Sequence, residues 1–126
     1  MPEGRVLIVE DNEKNMKLFR DVLQASGYGT IEATSGEQAV ELAGAHAPAL
    51  VLMDVQLPGM SGVEALAQLR AAERTASIPV LALTAQAMQG DRERFLAAGF
   101  DGYLSKPVDV AELVGTVRRY CEGATG

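Results

Sequence analysis

Glu10, Asp11, Asp54, Thr84 and Lys106 stand where apolar runs of this chain stop, in VLIVED, ALVLMD, VLALT and YLSKP. Three carboxylates, a hydroxyl and an ammonium are the parts needed to hold a divalent cation beside a phosphoryl group. Asp54 is central. Aspartate is disfavoured inside strands, and a carboxylate can attack phosphorus to give an acyl phosphate; its plainer role would be to cap the next turn. Glu10 and Asp11 would add two acids beside it. Like charges that close raise one another's pKa and strain a fold. Mg2+ resolves the repulsion, because it favours oxygen ligands, keeps several waters and pairs with phosphate. The same two acids also complement the N-terminus of a following helix. Thr84 offers its hydroxyl to a phosphoryl oxygen, although alone it reads as a strand-end cap. Lys106 is one of three lysines, with Lys14 and Lys17, and Pro107 follows it. An ammonium buried there is costly unless paired, so a carboxylate or phosphate partner is expected. The Lys106–Pro107 bond is open to the cis form found at about 5–6% of such bonds, which would point Lys106 inward.

Residues so far apart in sequence meet only if the fold brings them together. Strand and helix patterns alternate five times, which argues an α/β domain with a parallel sheet covered on both faces. The strands are RVLIVE, a short stretch from Tyr28 to Ala33, ALVLMD, IPVLALT and GYLSKP with its exit turn. Continuous Val/Ile/Leu runs are those of buried parallel strands, and the second, least hydrophobic strand suits an edge. In such sheets ligands bind beyond the carboxyl ends of the strands, so the polar ends are expected at one rim.

The first helix is predicted from about Asn12 to Ser26, with Met16, Phe19, Val22 and Leu23 on one face and Gly27 ending it. The second opens on two overlapping capping boxes, Thr34–Glu37 and Ser35–Gln38, and the third on Ser61 with Glu64. The fourth is placed from about Gln86 to Ala98, stopping at Gly99, and the fifth is capped by Asp109 with Glu112. YCEGATG reads as a frayed tail. One domain is expected over residues 1–126, with its core at about 4–120 and no output domain.

Composition sets the outer limits. With 126 residues, 48% hydrophobic and 22% charged, the chain is an ordinary soluble globular one with a core that needs no staples. Its longest apolar runs fall far short of the ~20 residues of a membrane span, and MPEGRVLIVE has neither an h-region nor a cleavage site. A cytoplasmic location without a membrane partner is expected. The net charge of −6 argues against nucleic-acid binding, which needs a basic face. Cys121 is the only cysteine, so no internal disulfide forms. His46 is the only histidine and is expected to be solvated at a helix end, leaving no His pair or triad for chemistry.

VLIVEDNEKNMKLF, LVLMDVQLPGMSGVE, IPVLALTA and GYLSKPV, in this order and spacing, resemble the receiver domain of two-component response regulators over nearly the whole chain. ALTAQAMQGDRERFLAAGFDGYLSKP is similar to stand-alone regulators of the DivK type. The resemblance implies a flavodoxin-like, CheY-like doubly wound sheet of order 2-1-3-4-5 with five helices. It implies that Asp54 is the phosphoacceptor and that Asp11, Asp54 and the backbone carbonyl of Gln56 ligate Mg2+, with Mn2+ a possible substitute. Glu10 would act largely through water; it replaces an Asp common in receivers. Thr84 and Lys106 would bind phosphoryl oxygens, and Tyr103 matches the switch aromatic that turns inward when Thr84 engages phosphate. Gln56 and Gln86 would tune phosphate lifetime. The implied donor is a histidine kinase or histidine phosphotransfer protein, and the implied readout face is helix 4–strand 5–helix 5. Such a domain is a signalling module, catalysing only its own phosphotransfer and hydrolysis.

Three alternatives are weighed against this. A haloacid-dehalogenase-type phosphohydrolase needs a second acid two residues after the nucleophile, where Gln56 stands. A flavodoxin-like or dinucleotide-binding module needs a glycine-rich first turn, and EDNEKN has none. A receiver excised from a hybrid histidine kinase or larger regulator would carry the same site.

Overall fold

The computed structural model describes residues 5–85 and 91–122. Ten elements alternate along it: β1 Arg5–Val9, α1 Glu13–Ala25, β2 Gly29–Ala33, α2 Gly36–His46, β3 Leu50–Asp54, α3 Gly62–Ala71, β4 Val80–Thr84, α4 Asp91–Ala98, β5 Gly102–Ser105 and α5 Val110–Glu122. Gln86, where the fourth helix was expected to start, lies outside the described residues. The strands form one parallel sheet in the order β2-β1-β3-β4-β5. This is the expected doubly wound architecture, with β2 on an edge.

Alternation of side chains along each strand divides the interior in two. Leu7, Val9, Val51, Met53, Val80 and Ala82 face α2, α3 and α4, where Ala39, Leu66 and Phe95 meet them. Val6, Ile8, Leu52, Leu83 and Leu104 face α1 and α5, against Met16, Phe19, Leu23, Leu113 and Val117. Every residue of β3 and β4 is buried. At about 1.5–3 kcal/mol for each fully buried large apolar side chain, these two central strands hold the rim from which Asp54 and Thr84 emerge.

The caps explain where most helices begin. Asn12 Oδ1 accepts from the Asn15 N–H at 3.1 Å, and Ser61 and Glu64 exchange both bonds of a capping box. Asp109 accepts from the Glu112 N–H at 3.0 Å. At α2 the structure chooses between the two overlapping boxes. Ser35 is the N-cap, accepting from the Gln38 N–H, so the Thr34–Glu37 box is not used. The Gln38 side chain reaches past Ser35 to the Thr34 N–H, at 2.8 Å. The frayed tail is also corrected in part. Tyr120 to Glu122 belong to α5, Cys121 is buried, and the Tyr120 hydroxyl donates to the Asp101 carbonyl at 3.1 Å. Residues 123–126 lie outside the described residues. His46 ends α2 and is exposed, as expected.

Candidate functional site

Strand register brings the polar ends together. Val9 pairs with Met53, Asp54 with Leu83, and Thr84 with Ser105. Glu10 therefore lies one step beyond β1, beside Asp54, and Lys106 one step beyond β5. Parity then sorts them by face. Glu10, Asp54 and Lys106 continue the series of Ile8, Leu52 and Leu104, on the side of α1 and α5. Thr84 continues the series of Ala82, whose neighbour across the ladder is Tyr103, on the side of α2 to α4.

The three residues of the first series converge on one ammonium. Lys106 Nζ donates to Glu10 Oε1 and to Asp54 Oδ2, each at 2.7 Å. Asp54 Oδ1 accepts from the Gln56 N–H at 2.9 Å, and Glu10 Oε2 from the Asn12 N–H at 3.3 Å. The carboxylates of Glu10, Asp11 and Asp54 offer oxygens within 4.8 Å of one another. Glu10 is only 1% exposed and Asp54 5%, whereas Asp11 opens to solvent. Thr84 is buried at the neighbouring strand end. The Lys106–Pro107 bond is cis.

Charge suits this cluster to a cation. Three carboxylates less one ammonium leave two negative charges unbalanced, the charge of one divalent ion. All the donors are hard oxygens, which suits Mg2+. Burial pushes the Glu10 carboxyl above its usual range; Lys106 opposes the rise and Asp54 adds to it. Burial alone would lower the Lys106 pKa, but its bonds to Asp54 and Glu10 outweigh this and raise it.

Replacing Lys106 with methionine should therefore destabilise the metal-free protein by about 2–3 kcal/mol at neutral pH. That is below the ~3–5 kcal/mol of a fully buried pair, because the rim opens to water. Glu10 takes its proton at higher pH folded than unfolded, so the folded variant binds more protons and gains stability as pH falls. Urea unfolding should show the deficit shrinking from pH 7 to about pH 5. An undiminished deficit would show that Glu10 is not the group left without a counter-charge.

Gly62, which opens α3, was not anticipated as part of the site. A Cβ there would collide with the Asp54 carbonyl oxygen and stand 2.8 Å from the Val55 Cα. Only glycine lets α3 start this close to the strand end, and the Gly62 N–H in turn donates to the Val55 carbonyl at 3.2 Å. Gly62→Ala is expected to cost about 1–3 kcal/mol and to displace Asp54. Denaturant unfolding, together with amide chemical shifts of residues 54–56, would test this; unmoved shifts would contradict it. The only sequence signal was a glycine placed directly after a capping serine.

Residues 6–118 match the response regulator receiver domain, and the chain belongs to this family, a class of signalling domains. It is 51% identical over 115 residues to the polar-differentiation response regulator DivK of Brucella ovis, covering 91% of this chain and 94% of that protein. The receiver domain of a Pseudomonas aeruginosa sensor histidine kinase, solved with a magnesium ion coordinated in its active site cleft, is 39% identical with a TM-score of 0.86, covering 94% and 97% of the two chains. A Saccharomyces cerevisiae response regulator's receiver domain, co-crystallised with a histidine phosphotransfer signaling protein, is 32% identical with a TM-score of 0.88, covering 95% and 90%. Among the described residues, no helix is long and apolar enough to cross a membrane.

Proposed function

We propose that this chain is a single-domain response regulator that takes a phosphoryl group on Asp54 and signals by binding another protein. The observation that carries the reading is the convergence of Glu10 and Asp54 on Lys106 Nζ with Asp11 alongside. The match to the DivK response regulator, which runs over 94% of that protein's length, supports this reading. The donor is a phosphohistidine on a histidine kinase or phosphotransfer protein, as in the yeast complex. The proposed place of action is the cytoplasm, with neither nucleic acid nor membrane as partner; the net charge of −6 supports this.

An Asp54 oxygen bonds to phosphorus as the P–N bond of the donor breaks, leaving the electron pair on the imidazole nitrogen. Asp11, Asp54 and the Gln56 carbonyl would hold Mg2+, or Mn2+ in its place, with Glu10 acting through water; the ion supplies positive charge beside the transferring group. The Gln56 N–H holds the Asp54 carboxylate in place. Lys106, freed from one carboxylate, turns to a phosphoryl oxygen, and Thr84 donates its hydroxyl to another. The chain is thus no enzyme toward other substrates; it catalyses only its own phosphorylation and hydrolysis.

The phosphoaspartate carries about −2 charge at neutral pH. Thr84 and Tyr103 share a sheet face, so movement of the hydroxyl toward phosphate opens space for the Tyr103 ring. That shift biases the α4–β5–α5 face toward its partner. Thr84→Ala is expected to leave phosphorylation nearly intact while blunting the gain in partner affinity, a coupling of about 1–3 kcal/mol. Calorimetry with and without beryllofluoride would read it. Equal enhancement in wild type and variant would remove Thr84 and Tyr103 from the signalling route.

A further inference from the structure

Arg70, near the end of α3, grips three parts of the chain with one guanidinium. It donates to the Gly99 carbonyl through Nε at 3.3 Å and Nη2 at 2.9 Å. It also donates to the carbonyls of Ala76 at 3.0 Å and Ile78 at 2.6 Å, and to Asp101 Oδ2 at 2.8 Å. Asp101 is held from the other sides. Its Oδ2 accepts from the Val80 N–H at 2.8 Å, its own N–H donates to the Val80 carbonyl at 2.8 Å, and its carbonyl accepts from Tyr120. The short turn Gly99–Asp101 is thereby fastened to α3, β4 and α5. It lies at the amino ends of β4 and β5, the opposite end of the sheet from Asp54.

The helix that enters this turn buries little of its described side chains. Of the α4 side chains described, Glu93 to Ala98, Phe95 alone is buried. Its ring meets Phe100 edge-on, with centroids 5.9 Å apart, and Tyr103 at 6.1 Å. An eight-residue helix is marginal without tertiary support, and few buried contacts mean low local stability. So, among the described residues, α4 is fastened at the end that meets the turn and pegged by Phe95, which rests partly on Tyr103.

We propose that the Arg70–Asp101 clamp is a fixed pivot for α4: when Tyr103 turns inward, Phe95 loses a ring partner and the helix swings about Gly99. This rests on the Tyr103 reading above. Packed interiors switch between discrete arrangements rather than deform continuously. With the clamp closed, the switch becomes a directed swing of the helix. With the clamp open, the same trigger frays the turn, and the displacement dissipates as local disorder. Arg70 is a positioning residue, far from the phosphoryl chemistry.

Hydrogen exchange on the full chain, with and without Mg2+ and beryllofluoride, tests this in wild type, Arg70→Met and Asp101→Asn. In wild type, beryllofluoride should change exchange at residues 93–96 by about tenfold and at 99–101 by less than about twofold. In Arg70→Met the response should spread into 99–101, again by about tenfold. Asp101→Asn keeps an acceptor for the Val80 N–H and should spread the response less; it decides the matter if Arg70→Met does not fold. A mere staple would instead give lost protection that is equal with and without beryllofluoride, and that result overturns the pivot. A wild-type turn that responds as strongly as the helix also overturns it. Fluorine NMR of the same samples separates the two readings. An unresponsive α4 with beryllofluoride bound defeats the pivot alone, and absence of binding defeats the Asp54 reading and the pivot with it.

Discussion

Replacing Asp54 with asparagine is expected to abolish acid-labile phosphorylation, whether the donor is a phosphohistidine protein or acetyl phosphate. The substitution is nearly isosteric. An asparagine Oδ1 still accepts from the Gln56 N–H, and Lys106 keeps its bond to Glu10, so the fold should survive. What disappears is the nucleophile, since a neutral amide oxygen does not form a stable acyl phosphate. Stability in urea should change by less than about 1 kcal/mol, because removing one of three clustered acids relieves repulsion. Radiolabelling against wild type is the direct measurement. Stoichiometric labelling of the variant at the wild-type rate would show that another residue accepts the group.

Removing divalent metal is expected to stop phosphotransfer in the unmodified chain, by at least about a hundredfold, the scale of losing one strong electrostatic stabiliser. An incoming phosphoryl group is anionic, and Glu10, Asp11 and Asp54 repel it, with Lys106 bonded to two of them as a partial offset. Mg2+ or Mn2+ should restore the rate, and the fully titrated site should bind metal more weakly as pH falls. Protons compete with the ion for carboxylates, and burial has already made Glu10 the readier to be protonated. Undiminished transfer in excess chelator would remove Glu10 and Asp11 from the site.

What could be read from sequence depended on whether the cause was local. The continuous runs around Leu52 and Leu81 announce buried strands, and the polar residue ending each marks the rim. Ser61 and Glu64 identify a helix start because both partners of the capping box lie within four residues. Thr34 and Ser35 do not, because the choice between them depends on how the chain leaves β2, which neighbouring strands decide. Burial cost shows that Lys106 needs a partner, but only strand register shows that it bridges two. Arg70 was invisible for a different reason. Most of its partners are backbone carbonyls, which every residue possesses, so no residue type betrays them. Gly62 was equally hidden, since the backbone it must avoid belongs to another element.

The placement of Lys106 on the far side of β5 has a consequence for how the domain is made. Synthesis proceeds from β1 onward, so Glu10, Asp11 and Asp54 leave the ribosome well before Lys106. A nascent chain with only β1 to β4 holds the acids without their ammonium and gains little by bringing them together. Docking of β5 beside β4 supplies the counter-charge and, on the proposed function, the lysine for phosphate in one event. On the function proposed above, competence to receive a phosphoryl group would therefore wait for β5 to dock, and a chain that has made only β1 to β4 should not respond to its donor.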